Sequence, residues 1–331
     1  MFIWQQPLQL MVTSIGGNVY KGYLGVGASG AIATSSDGLT YKAATSGVTT
    51  NLVDIAYGNG IWMAAAENGK VLRSIDAVTW EAVDVHSSTS GVLCRAVVYA
   101  GDRFVVVYRS TAAIHKLWYT KDNGVTWSSY SSTNLTTQYV GNRVLAYKSS
   151  TNTVAVAGTN GANYITFLNV STGAIQTVIN GMGDTYYSTP AIISTRNGWL
   201  IGGQGAKIAY ASEATRVFSR TTYGDQNNNY ISGFAYDKTS DRYMAYGNYA
   251  GVPGSPLLAT TPTNLGTSDP TSWSSVSFGG LPTSSSPIKS VFFIEGQTRP
   301  TVLTTTGVFN WNGTTYAKTD SAILEIVRYA Q

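Results

Sequence analysis

Between residues 52 and 83 the chain alternates short apolar runs with short polar breaks. Leu52 to Tyr57 is followed by Gly58-Asn59-Gly60, Ile61 to Ala66 by Glu67-Asn68-Gly69, and Lys70 to Arg73 by a longer break that ends in Thr79-Trp80. Asn-Gly supplies the positive φ that a two-residue hairpin turn requires. Runs of five to eight residues parted by such turns predict an antiparallel meander of four strands.

The same frame returns along the chain. Ala96 to Val107 repeats the first hairpin, and Leu145-Ala146-Tyr147 with Thr153 to Gly158 repeats it again. Ile192 to Gly202, Phe234 to Gly247 and, more weakly, Val291 to Ile294 follow. Leu324 to Ala330 overlays Val53 to Gly58 but has no hairpin partner after it. Anchors at 57, 99, 147, 194, 236, 293 and 329 are spaced by 42, 48, 47, 42, 57 and 36 residues. That period is near the ~40–50 residues of a four-stranded propeller blade.

The front of the chain supplies the missing partners. Tyr20 to Gly27 reads as a second strand, Ala31 to Thr34 as a third and Thr40 to Ala43 as a fourth. Residues near 322–330 are therefore expected to complete the blade begun by residues 15–46, which removes two exposed sheet edges. The expectation is an all-β chain: a single β-propeller over residues 15–331, with seven four-stranded blades in preference to six or eight. Met1 to Ser14 falls outside the frame and reads as an N-terminal arm or extra strand; Leu8 to Val12 alternates like a strand.

A second pattern marks the break before a blade's fourth strand. Ser35-Ser36-Asp37-Gly38-Leu39-Thr40-Tyr41 returns as Ser74-Ile75-Asp76-Ala77-Val78-Thr79-Trp80 and as Thr120-Lys121-Asp122-Asn123-Gly124-Val125-Thr126-Trp127. An Asp two residues after a hydroxyl can fold back onto backbone N–H groups and hold a tight turn. Gly then tolerates positive φ. Thr-aromatic restarts the strand and offers a ring to the core.

These three segments resemble the Asp-box, or bacterial neuraminidase repeat, Ser/Thr-x-Asp-x-Gly-x-Thr-Trp. Thr120 to Trp127 has the full length; the other two are one residue shorter, with Tyr41 in the Trp position and Ala77 in the Gly position. The resemblance covers about the first 130 residues by motif and the remainder by blade period. It implies a propeller in which each box is a structural turn. It does not carry the family's sialidase chemistry here. Sialidases need an arginine triad, a Tyr–Glu nucleophile pair and an Asp acid/base, and nothing in this chain resembles their N-terminal Arg-Ile-Pro-like segment. By composition and repeat style the chain also resembles propeller proteins of tailed-bacteriophage particles. Within the fold, the photosystem-assembly propellers of plants and cyanobacteria read similarly.

Composition narrows the function classes. Charged residues are 11% of the chain, against roughly 25% in an ordinary domain. The net charge of +4 is scattered, without the basic run that tracks a phosphate backbone, so no nucleic-acid partner is expected. No apolar run approaches membrane-spanning length, so no membrane insertion is expected. Met1 to Pro7 lacks the basic start and long apolar core of a signal peptide, so synthesis in a host cytoplasm without export by that route is expected, and residence in a virion is what the resemblance to phage propellers implies. Cys94 has no disulfide partner and reads as a small buried hydrophobe. The two histidines, His86 and His115, read as surface or rim residues, and no metal or cofactor is expected.

Glycoside hydrolysis needs two facing carboxylates. Of 17 carboxylates, Asp37, Asp76 and Asp122 are assigned to turns, and Asp184, Glu213, Asp225 and Glu295 stand isolated. No catalytic residue is assigned. Gly202 to Lys207 faintly resembles a phosphate loop, but strand-like Ile208 to Ala211 follows instead of a helix, so it reads as a hairpin turn. Binding is expected on the loops that join one blade to the next: Val85 to Gly91, Ser131 to Gly141, Gly183 to Ser188, Tyr223 to Tyr230 and Leu281 to Pro287. Tyr186, Tyr187, Tyr223, Asn228 and Tyr230 are the candidate contacts there, since tyrosine faces stack on sugars and amides bond hydroxyls. The expected partners are other virion proteins or a host surface glycan or receptor. The alternatives are a sialidase-like hydrolase or carbohydrate-binding propeller, and an assembly scaffold.

Overall fold

The structure is a computed structural model describing residues 22–86, 92–109, 115–130, 144–157, 164–179, 191–203, 207–222, 229–249, 255–266, 270–276, 279–281, 287–294, 297, 299–320 and 326–330. Met1 to Ser14 lies outside these residues. The described chain forms seven four-stranded antiparallel sheets, the blades of a β-propeller.

Blade one holds β1 (Gly22–Val26), β2 (Ile32–Ser35) and β3 (Lys42–Ala44). Blade two is β4 (Leu52–Gly58), β5 (Ile61–Ala66), β6 (Lys70–Ser74) and β7 (Glu81–Asp84). Blade three is β8 (Leu93–Tyr99), β9 (Phe104–Arg109), β10 (His115–Thr120) and β11 (Ser128–Ser129). Blade four is β12 (Leu145–Lys148), β13 (Thr153–Ala157), β14 (Tyr164–Asn169) and β15 (Ile175–Ile179). Blade five is β16 (Ala191–Ser194), β17 (Gly198–Gly202), β18 (Lys207–Ser212) and β19 (Ser219–Thr222). Blade six is β20 (Asn229–Asp237), β21 (Arg242–Tyr249), β22 (Ser255–Thr260) and β23 (Ser274–Ser275). Blade seven is β24 (Ile288–Phe292), β25 (Thr301–Thr304), β26 (Gly307–Trp311) and β27 (Tyr316–Asp320).

The last strand, β28 (Ile326–Ala330), does not extend blade seven. It pairs antiparallel with β1, Gly22 opposite Ala330 and Val26 opposite Ile326, and becomes the inner strand of blade one. The inner strands β4, β8, β12, β16, β20, β24 and β28 then touch in succession, and β28 touches β4. This is the closure expected from the unpartnered repeat at Leu324 to Ala330. The phosphate-loop-like segment joins β17 to β18, as a hairpin should.

The core lies between blades. Met63 and Val71 of blade two pack with Val97 and Phe104 of blade three, and Tyr23 and Ala33 of blade one pack with Leu303 and Val308 of blade seven. Each sheet is therefore covered on both faces, which explains why a strand such as β5, Ile61 to Ala66, reads as a continuous apolar run. Gly58 shows how tight the fit is. A Cβ at this position would lie 2.0 Å from Cγ of Tyr99 in the next blade.

Polar links cross the same junctions. The β4–β5 register shifts between Leu52 and Asp54, and Asp54 is buried. Its carboxylate accepts N–H bonds from Ile55 (3.0 Å) and, across the junction, from Val97 (3.1 Å). Register shifts recur in β8, β20 and β24. Cys94 is buried, and desolvation pushes its thiol pKa far up.

Candidate functional site

In a four-stranded meander the first and third turns share one end of the sheet. The second turn and the connection to the next blade share the other. The three Asp-centred turns join third to fourth strands and so lie at the first of these ends.

Their bonding is local. Ser35 Oγ donates to Asp37 Oδ1 at 2.8 Å and accepts the Gly38 N–H at 2.8 Å. Asp37 Oδ1 also accepts the N–H groups of Leu39 (2.8 Å) and Thr40 (3.0 Å). Ser74, Asp76, Ala77, Val78 and Thr79 repeat this set, and the Trp80 indole donates to the Ala77 carbonyl at 3.2 Å. In the longer turn Thr120 Oγ1 donates to Asp122 at 2.7 Å and accepts the Gly124 N–H at 2.8 Å. Asp122 is then closed by the Thr126 hydroxyl (2.5 Å) and N–H (2.9 Å).

The slot after Asp imposes positive φ whatever fills it: 76° at Gly38 and 61° at Ala77. Partial desolvation raises the Asp37 pKa, but the N–H bonds of Thr40 and Leu39 and the neighbouring hydroxyls outweigh it and hold the group at about 2. Asp122 is lowered to about 2, mainly by Thr126. Tyr41 and Trp127 are partly buried against their neighbours, and the Tyr41 N–H donates to Asp320 of blade seven at 2.5 Å.

At the other end, the candidate contacts Tyr186, Tyr187, Tyr223 and Asn228 lie outside the described residues, as do Asp184, Asp225 and Glu295. Tyr230 sits in β20 opposite Asn248. In blades one to three the described part of this end is tied to itself. Asn51 accepts the Ser29 N–H (3.0 Å) and donates to Glu67 (2.9 Å), and Glu67 accepts from Arg95 at 2.8 Å. In the connection at Val85, that residue belongs to the core. His86 is half-buried, edge-on to Trp118 with ring centroids 5.1 Å apart.

A denser polar cluster lies where the sequence reading assigned no site, at the first-turn end between blades four, five and six. Thr195-Arg196-Asn197 is the turn from β16 to β17. Lys148 of blade four is buried and its Nζ donates to the carbonyls of Thr195 (2.5 Å) and Arg196 (2.7 Å). Burial lowers the Lys148 pKa, against an opposing pull from Glu213. Ser194 Oγ donates to the Tyr147 carbonyl at 2.9 Å.

Blade six contributes Asp241, whose carboxylate accepts the Tyr236 hydroxyl (2.5 Å) and the Gly266 N–H (2.7 Å). Burial, then this bond, push the Tyr236 pKa up. Arg196 Nη2 stands 3.6 Å from Asp241 Oδ2. Between these groups is a cavity of about 10 Å³, lined by Thr195, Arg196, Asn197, Asp241, Leu265 and Pro270 among others. Thr195 is 2% exposed, and its hydroxyl has no hydrogen-bond partner among the described residues.

One signal could have pointed there. The 57-residue step between anchors 236 and 293 is the longest, and the thirteen residues between Thr260 and Ser274, which carry Leu265, Gly266 and Pro270, account for part of it.

Glu213 is not isolated. It bonds the Trp199 indole at 2.6 Å and pairs with Arg216. Among the described residues, no three His, Cys, Asp or Glu gather as metal ligands, and no helix is long and apolar enough to cross a membrane.

No protein-family model matches the chain, and no curated protein matches it. Solved structures do match in fold. YCF48 bound to D1 peptide is 15% identical, with a TM-score of 0.61 over 94% of this chain and 89% of that one. YCF48 from Cyanidioschyzon merolae is 13% identical, with a TM-score of 0.59 over 84% and 87%. The WD40 repeats of RRP9 are 9% identical, with a TM-score of 0.54 over 88% of each chain. At such identities the likeness is one of fold alone.

Proposed function

We propose that this chain is a non-enzymatic binding propeller, a structural component of a bacteriophage particle. It would present its inter-blade connections to another virion subunit or to a host surface glycan or receptor. The observation that carries the binding reading is an asymmetry of loop length. Fifteen residues separate Ser129 from Leu145 and twelve separate Ser275 from Ile288, against two between Gly58 and Ile61 and three between Ser194 and Gly198. A rigid ring with most of its long connections at one end is suited to recognition, the thirteen residues between Thr260 and Ser274 being the exception at the other. The virion setting rests on the charge-poor composition and on the Asp-box-like repeat style.

The non-enzymatic part is supported by what the described carboxylates do. Asp37, Asp76 and Asp122 hold turns, Glu213 pairs with Arg216, and Asp237 binds Arg242 and two backbone N–H groups. Mass spectrometry of purified particles tests the setting: the protein should be a stoichiometric component. Its absence from particles, or release of reducing sugar from polysaccharide by the pure protein, would sink this reading.

The match to YCF48 bound to D1 peptide favours a second reading, an assembly scaffold that holds a peptide of a client protein. Co-purification with a host membrane complex, rather than with particles, would select it.

A further inference from the structure

We propose that the N-terminal segment Met1 to Ser14 docks across the Asp-turn end of blades two and three, a contact independent of the binding reading above. Among the described residues, the large hydrophobic side chains left exposed are Ile75 (69%), Val78 (65%), Val125 (67%) and Val217 (69%). All four lie in turns between third and fourth strands, and so at one end of the propeller. Val78, Val125 and Val217 share a position: each follows the left-handed residue of its turn, Ala77 (φ 61°), Gly124 (88°) and Arg216 (51°). Leu39 follows Gly38 in the same way and is half-buried. Single apolar residues are ordinary on a protein surface, but here one turn position carries them in four blades. Two of these turns adjoin. The turn holding Val125 is tied to blade two, where Arg73 Nη1 donates to the Asn123 carbonyl (3.0 Å) and Asn59 Nδ2 to Asn123 Oδ1 (3.1 Å). Arg73 directly precedes Ser74, which opens the turn holding Ile75 and Val78.

The occupant follows from where β1 begins and what precedes it. Gly22 starts β1, and Tyr23 beside it pairs with Ser35, the first residue of the Asp turn in blade one. The preceding segment therefore joins the ring at this same end. Blade two is the next blade, its inner strand β4 touching both β1 and β28. The seven residues from Ile15 to Lys21 reach up to ~25 Å when extended. Met1 to Ser14 holds no charged residue, and more than half of it is large and apolar, Trp4 and Leu8 among them. Water favours burial of such a segment, and a tethered segment reaches a surface ahead of a free molecule. The period-two spacing of Leu8, Leu10 and Val12 gives an extended segment one apolar face to lay on Ile75, Val78 and Val125.

Cysteine labelling tests this, because the native Cys94 is buried and stays unreactive while the ring is folded. Maleimide reaction rates are compared for Val78→Cys and Val217→Cys in the full chain, with Val217 of blade five as the control. Both are measured again in the full chain carrying Leu8→Asp, Leu10→Asp and Val12→Asp, substitutions that leave the described strands untouched. Val78→Cys should react about tenfold slower than Val217→Cys, and the three charges should remove that difference. Equal rates with the native N-terminal segment, or protection of Val78→Cys that survives the three charges, would overturn the proposal. Protection that fades on dilution would assign the cover to a second copy of the chain and overturn it as well.

Discussion

Substituting Gly58 by Ala separates packing from backbone conformation. Gly58 is not in the left-handed region, so alanine meets no backbone penalty there. The added methyl carbon, however, would stand 2.0 Å from Tyr99 Cγ and 2.3 Å from both Cδ atoms. Ordinary carbon contacts are ~3.5–4.0 Å, so ring and strand must part by about 1.5 Å. Tyr99 cannot simply swing away, because its ring packs on Phe104 with centroids 4.9 Å apart. Overpacking of this kind costs about 1–3 kcal/mol. Reduced freedom of the unfolded chain returns ~0.4–1 kcal/mol. The net expectation is a loss of about 1–2 kcal/mol, which for this length lowers Tm by about 1–3 °C.

A double-mutant cycle with Tyr99→Ala, read by urea denaturation, isolates the contact. The penalty of Gly58→Ala should largely vanish once the ring is gone, a coupling above ~0.5 kcal/mol. Equal penalties in both backgrounds, or a Gly58→Ala protein as stable as the parent, would refute the claim that this glycine exists to admit the neighbouring blade's tyrosine.

Other expectations follow from the same geometry. Asp37 and Asp122 have folded pKa values near 2, below those of the unfolded chain, so their stabilisation is complete above about pH 4 and is lost as pH falls toward 2. In thermal melts across that window, Asp37→Asn should show a shallower loss than the parent; an unchanged slope would count against the turn bonds. Lys148→Met leaves the carbonyls of Thr195 and Arg196 without their buried donor and should cost about 1–3 kcal/mol by denaturant titration. Val327→Pro, opposite Gly25 in the closing strand, should destabilise the chain measurably in denaturant titration, because proline cannot donate to the ladder. Hydrogen exchange should rise first in blade one and in its neighbours, blades two and seven; uniform exchange around the ring would contradict closure by β28.

The architecture was legible because it is written in short-range chemistry that recurs. Asn59-Gly60 and Asn68-Gly69 set hairpins, hydroxyl-x-Asp sets the turn before the fourth strand, and the unpaired repeat at the end of the chain matched the incomplete blade at its start. Each is a local backbone preference repeated at blade spacing, and such preferences are visible in a single chain. Contacts between blades were not legible, because they join residues about one repeat apart whose types alone do not name their partners. Asp54 reads as a stray charge in an apolar strand until the register shift sets it beside the Val97 N–H. Gly58 reads as turn chemistry until Tyr99 arrives over it. Thr195 and Asp241 meet only because blades five and six pack face to face, and the cavity between them depends on the length of the connection after β22. Local preference thus determined the blades and their number, while packing between neighbouring sheets decided where the polar groups converge.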